Sequence, residues 1–210
     1  MKPTIYTDRL ALKSPDPAYS LSLLQYFIQN IDWLKPWTPI WPADFLNQTS
    51  IINKLQADTA LEAHHRNVGF LLFIKGEDRI CGTINFSNIV WGGFCSCFLG
   101  YQIGEDYADK GLMTEALKAA IWYVFRHKKF PGRLHRIEAN IMPSNLASIN
   151  LVKKLGFINE GNSPEYLQIA GKWETHEHWV MLNNASNEAR LSEYRLIIDR
   201  FFDQKQIKVD

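Results

Sequence analysis

The chain has 210 residues, 46% of them apolar, and a formal net charge of +1. That suits one domain with an appendage and gives no support to a general nucleic-acid or membrane-surface role. No window approaches the roughly 18 apolar residues of a transmembrane helix, and the start Met1-Lys2-Pro3-Thr4-Ile5-Tyr6 lacks a signal-peptide run. With three cysteines there is no disulfide framework, so reduced thiols and a cytoplasmic location are expected.

Residues 8–13 alternate and predict a first strand. Leu21, Leu24, Phe27 and Ile28 have helical spacing over 17–30. Pro36, Pro39 and Pro42 then predict an ordered, irregular loop over 33–43, carrying Trp33, Trp37 and Trp41. Residues 49–64 read as a helix. Strands at 68–74 and 80–86, joined by a turn at 76–79, read as a hairpin, and Phe94 to Ile103 as a further strand. Met113, Ala116, Leu117, Ala120, Ile121, Val124 and Phe125 place a clear apolar stripe on a helix at 113–127. His135 to Ile141 alternates as a strand. Asn145 is a good N-cap for a helix at 146–155, which Gly156 closes in the left-handed position. Phe157 onward, Tyr166 to Ile169 and Glu177 to Leu182 supply the last strands. A polar run at 183–187 precedes a terminal amphipathic helix at 188–202, marked by Leu191, Tyr194, Ile198, Phe201 and Phe202. The expected organisation is a domain over 1–183 and a helical extension over 184–210. The extension's apolar stripe is expected to dock on this subunit or on a dimer mate.

The most informative stretch is Gly100 to Leu117, a strand, a turn holding Gly111, and the start of the striped helix. The first N–H groups of such a helix have no intrahelical partner. With the helix dipole they make an anion site, and Gly111 allows close approach of a phosphate. An ordinary strand-to-helix turn explains one glycine as well. The second landmark, Asn145 to Phe157, opens another helix directly after a strand. Two such junctions at one side of a sheet suggest a split in which a ligand lies between strand ends.

These paired motifs resemble the GNAT superfamily of acyl-CoA-dependent N-acyltransferases. More narrowly they resemble its ribosomal-protein-alanine N-acetyltransferase (RimJ/RimL-like) branch, from Thr7-Asp8-Arg9-Leu10 to about Leu182. Asn30 to Pro39, Ile80 to Phe86, Leu99 to Ile103, Leu134 to Asn140 and Tyr166 to Trp173 carry the likeness along the way. The resemblance implies an α/β GNAT fold: a mixed, mostly antiparallel sheet of about seven strands with flanking helices. Its central parallel strands, near 98–104 and 135–141, would splay to form the cofactor cleft. It implies acetyl-CoA as co-substrate, with no metal. Ala108, Asp109, Lys110, Gly111, Leu112, Met113 and Thr114 would form the pyrophosphate cradle, Tyr101, Gln102 and Ile103 would pair with the pantetheine arm, and Asn145 would touch that arm. The chain departs from the family pattern where Ala108 replaces Gln or Arg and Met113 replaces a small residue. Asp109 adds a carboxylate beside the expected phosphates, which Lys110 offsets.

The tyrosine that many members carry seven residues after the asparagine is Val152 here. The branch points instead to Ser148 as the acid for the leaving thiolate and to Glu165 as the base. Ser148 reads equally as polar filler in the first helical turn, and Glu165 as an exposed loop residue. Trp33, Trp37, Trp41 and Trp173 suit either core packing or the wall of an acceptor groove, with Trp33, Trp37 and Trp173 taken as the substrate-binding candidates. His176 and His178 share a strand face without clustered metal-ligating partners, and Cys81, Cys95 and Cys97 read as buried small hydrophobes.

The expected function is direct acetyl transfer to a protein N-terminal amine, with a ribosomal-protein alanine leading and the chain a monomer or homodimer. Three alternatives stand beside it: acetylation of a small amine or antibiotic, a non-catalytic CoA sensor, and a ribosome assembly factor acting by contact.

Overall fold

The computed structural model describes residues 4–126 and 130–199. Its strands are β1 (Thr4–Tyr6), β2 (Leu10–Lys13), β3 (Val68–Ile74), β4 (Ile80–Val90), β5 (Ser96–Ile103), β6 (Arg136–Ile141), β7 (Ile158–Ile169) and β8 (Lys172–Leu182). The helices are α1 (Ser20–Gln29), α2 (Ile31–Leu34), α3 (Gln48–Ala63), α4 (Leu112–Arg126), α5 (Leu146–Leu155) and α6 (Glu188–Asp199). No helix among the described residues is long and apolar enough to cross a membrane.

The strands form one 8-stranded sheet in the order β1-β2-β3-β4-β5-β6-β8-β7. All neighbours are antiparallel except β5 and β6. The sheet therefore has one strand more than the seven expected. The addition is β1, whose three residues are too few to show alternation, while the expected segments from Phe157 and at Tyr166 to Ile169 form the single strand β7. The proline loop also departs from expectation, because α2 and a 3-10 turn at Lys35–Trp37 occupy part of it. Pro36 sits in the opening of that turn, where a missing N–H costs nothing.

Each face of the sheet carries its own core. On one, Leu71, Phe73, Ala11 and Ile80 pack with Leu23, Tyr26 and Phe27 of α1 and Ile51 and Leu55 of α3. On the other, every residue of the predicted stripe from Met113 to Phe125 is buried against Phe70, Phe86, Ile137 and their neighbours. α6 joins this second core through Leu191, Tyr194 and Ile198, and the Tyr194 hydroxyl donates to the Leu155 carbonyl over 2.8 Å. Phe201 and Phe202 of the predicted stripe lie outside the described residues.

α5 is capped at both ends as its sequence indicates. The Asn145 side chain accepts from the Ser148 N–H, and Gly156 closes the helix at φ 83°. Cys81 and Cys97 are buried, but Cys95 is only partly so, at φ 42° in the turn leading into β5. The expectation of a third buried thiol is corrected accordingly.

Candidate active site

The site begins where β5 and β6 part. They pair only over Ser96–Phe98 and Arg136–Glu138. Beyond that, β5 runs on to Ile103 with no strand on its β6 side, while β6 continues against β8. A cavity of about 890 Å³ occupies the split. Leu99 to Ile103 form one wall and Ala139 to Met142 the other. Tyr101 spans the split, its hydroxyl donating to the Ser148 carbonyl over 3.4 Å. Burial pushes the Tyr101 phenol up to about 12, against the smaller opposing effect of its bond to Ser148, so near neutral pH it stays a donor.

At one end of the cavity is the turn before α4. Asp109 and Gly111 both have positive φ, 55° and 73°. This explains the departure at 109, because short polar side chains tolerate the left-handed region better than most. Ala108 uses its N–H on the Glu105 carbonyl over 3.1 Å. Among the described residues, no acceptor takes the N–H groups of Asp109 through Thr114. These amides sit at the positive end of a 15-residue helix. An anion there gains about 0.3–1 kcal/mol from the dipole, besides hydrogen bonds of about 1.5–3 kcal/mol each. Ala108, Asp109, Gly111, Leu112, Met113 and Thr114 line the cavity. Lys110 does not; its ammonium lies 6.0 Å from the centre of the Tyr107 ring.

The turn is held from behind by residues absent from the sequence-based site. Arg9 donates from Nη1 to the Lys110 carbonyl (2.8 Å) and from Nε to Glu115 Oε2 (2.7 Å). The Arg9 main-chain N–H and the buried Thr7 hydroxyl both donate to Glu115 Oε1, over 2.8 and 2.6 Å. Burial pulls the Glu115 carboxyl upward, but the bonds from Thr7 and Arg9 and the Arg9 charge outweigh it and hold the carboxyl below its ordinary value. Asn30 performs a similar service at the end of β5, accepting from the Glu105 N–H over 2.8 Å.

Asn145 and Ser148 reach the cavity from the first turn of α5. Trp33 and Trp37 also line it while remaining 38% and 40% exposed. The Trp33 indole N–H donates to the Ile103 carbonyl over 3.0 Å, fixing α2 against the end of β5. Trp41 lines the cavity too, packed between the Phe27 and Phe45 rings at 5.3 and 4.9 Å. The Ala170 N–H donates to the Thr38 carbonyl, so the β7–β8 turn leans on the α2–α3 loop. Glu165, at φ 47°, and Trp173, 61% exposed, belong to this hairpin but lie off the cavity wall.

Two histidines of β8 were legible as a pair in the sequence, but their surroundings were not. His178 is fully engaged: Nδ1 lies 2.6 Å from Asn140 Oδ1 and 3.2 Å from Glu138 Oε1, and Nε2 lies 2.9 Å from Ser163 Oγ. His176 is buried and lines the cavity. Among the described residues, no group of three or more His, Cys, Asp or Glu side chains is arranged to hold a metal.

The architecture has known counterparts. A family model described as an acetyltransferase (GNAT) domain matches residues 9–158. The [ribosomal protein uS5]-alanine N-acetyltransferase of Escherichia coli (strain K12) is 38% identical over 183 residues, covering 83% of this chain and 88% of that protein. The crystal structure of ribosomal-protein-S5-alanine acetyltransferase from Vibrio fischeri superposes with a TM-score of 0.81 at 28% identity, covering 87% of this chain and 98% of the other. Mycobacterium smegmatis RimJ in complex with CoA-disulfide has the same fold, with a TM-score of 0.81 at 23% identity over 91% of this chain and 94% of that one. With its splayed strands, open helix terminus and these matches, the chain belongs to the GNAT acetyltransferase family.

Proposed function

We propose that this protein transfers the acetyl group of acetyl-CoA to the α-amine at the N-terminus of a ribosomal protein, with alanine the favoured first residue, in the cytoplasm. The observation that carries the reading is the continuity of one cavity. Its lining takes in the turn before α4, both walls of the split between β5 and β6, and Trp33 and Trp37. A diphosphate bound at the first, with its arm laid along Tyr101 to Ile103, would bring a thioester to the split. An acceptor entering past the tryptophans would meet it there. The relative from Escherichia coli, named for the alanine of uS5, supports the choice of acceptor.

Free amine supply also favours an N-terminus. An α-amine with a pKa of roughly 8 is about one-tenth neutral at pH 7, whereas lysine, near 10.4, is about 0.04% neutral. In the attack the amine nitrogen bonds to the thioester carbonyl carbon, the C–S bond breaks, and the thiolate takes a proton. Ser148, on the cavity wall at the first turn of α5, is the proposed donor toward that sulfur. Asn145 is proposed to touch the pantetheine arm while it caps α5.

Incubation with acetyl-CoA and purified ribosomal proteins, read by intact-mass spectrometry, tests the proposal. One acetyl group on a terminal alanine is expected. Thiol release with small amines but with no ribosomal protein would select a small-molecule acceptor instead.

A further inference from the structure

We infer that His176 is the group that removes the proton from the incoming α-amine, an inference that rests on the proposed function above. His176 is only 3% exposed, yet it is part of the cavity wall. Its Nδ1 lies 2.9 Å from the Glu174 main-chain oxygen. A carbonyl oxygen only accepts, so Nδ1 carries the hydrogen. In the neutral ring that leaves the lone pair on Nε2, and Nε2 has no hydrogen-bond partner among the described residues. A base needs this arrangement: a fixed tautomer, a fixed ring, and one open acceptor.

The alternatives along the cavity are already committed or chemically unsuited. Of its carboxylates, Asp58 pairs with Lys54 at 2.6 Å and Asp109 stands at the anion end. The Tyr101 hydroxyl is spent on Ser148. Glu165, the base that the family resemblance implies, is exposed on the hairpin and off the wall. His178 has partners on both ring nitrogens and does not reach the cavity. The titratable groups around the His176 ring are Tyr166 of β7, with ring centroids 5.8 Å apart, and Glu174 and His178 along β8. The Lys54–Asp58 pair of α3 and Lys154 of α5 stand elsewhere on the wall.

The proton balance is simple. The ammonium gives one proton to Nε2, leaving an imidazolium and a neutral amine. The amine attacks, the Ser148 hydroxyl gives its proton to the departing thiolate to make CoA–SH, and the nitrogen's second proton restores that hydroxyl. The imidazolium returns its proton to water. The sum is one amide, one thiol and one proton released.

The test uses the full chain, acetyl-CoA and a peptide beginning with alanine, with initial thiol release measured from pH 5.5 to 9, roughly the range that brackets histidine and α-amine titration. His176→Asn keeps a donor for the Glu174 carbonyl and removes the base. His176→Gln and Glu165→Gln are run beside it. Both His176 variants are expected to lose about 10²-fold or more in kcat at pH 7, with the KM for acetyl-CoA unchanged. The acid limb should move to higher pH in their profiles, the rate now following deprotonation of the peptide amine itself. Glu165→Gln should keep both rate and limb. A His176→Asn enzyme with the wild-type rate and limb would overturn the inference. So would loss of acetyl-CoA binding in either His176 variant, which marks a structural role, or the same shift of the limb in Glu165→Gln instead. A wild-type chain that acetylates no N-terminal peptide refutes the proposed function itself, and this is visible before any variant is compared.

Discussion

The Arg9 guanidinium donates to the Lys110 main-chain oxygen over 2.8 Å, across 101 residues of sequence. This bond, with the fork onto Glu115, fixes the turn whose amides face the cavity. The loop's shape is thus set from the turn between β1 and β2, by residues off the cavity wall. Arg9→Ala should therefore weaken CoA binding about tenfold, the equivalent of roughly 1.4 kcal/mol, while the melting temperature falls by only a few degrees. Arg9→Lys should behave much like the alanine variant, because an ammonium cannot serve two acceptors in a planar fork. Calorimetric titration of both variants with CoA checks this.

Glu115 gives the same tether a pH dependence. Its folded carboxyl titrates below the ordinary glutamate value of about 4.3. A depressed carboxyl contributes stability that is complete above the unfolded value and is lost as pH falls through the lower folded one. Glu115→Gln should accordingly be less stable than wild type at pH 6–7, and the gap should close as pH falls below the ordinary glutamate range and through the lower folded value. Urea midpoints measured across that range decide it.

The three thiols should separate by reactivity. Burial pushes Cys81 and Cys97 up to about 12, so neither offers thiolate at pH 8. Cys95 is partly exposed beside the Gly92 carbonyl. Native alkylation at pH 8 should add one label, at Cys95, and denaturation should release the other two.

Removing residues 184–210 should destabilise the domain severely. Leu191, Tyr194 and Ile198 are each at most 1% exposed, and each such side chain contributes about 1.5–3 kcal/mol by burial. Their loss also uncovers part of α4. A truncated chain with unchanged melting would show that α6 is dispensable. Tyr194→Phe, which leaves the Leu155 carbonyl without its donor, should cost about 1–3 kcal/mol on its own.

Much of this fold was legible because its signals are local. The stripe of α4, the caps of α5 and the β3–β4 hairpin depend on residues within a few turns of one another. Gly111 marked the anion end because one positive φ ahead of a helix is a local event as well. What escaped the sequence depends on long-range register. Arg9 and Glu115 meet across 106 residues. The open Nε2 of His176 follows from where β8 lies against β7 and the cavity. Asp109 looked like an electrostatic defect because its backbone angle, which a short polar side chain accommodates, cannot be read from charge.

The central claim is that the main-chain amides of residues 109–114 grip the diphosphate of acetyl-CoA. A crystal structure grown with millimolar acetyl-CoA tests it most directly. We expect diphosphate oxygens about 3 Å from several of those nitrogens, with the thioester lying between β5 and β6. Density for the cofactor elsewhere, or a turn left empty at saturating ligand, would contradict the account.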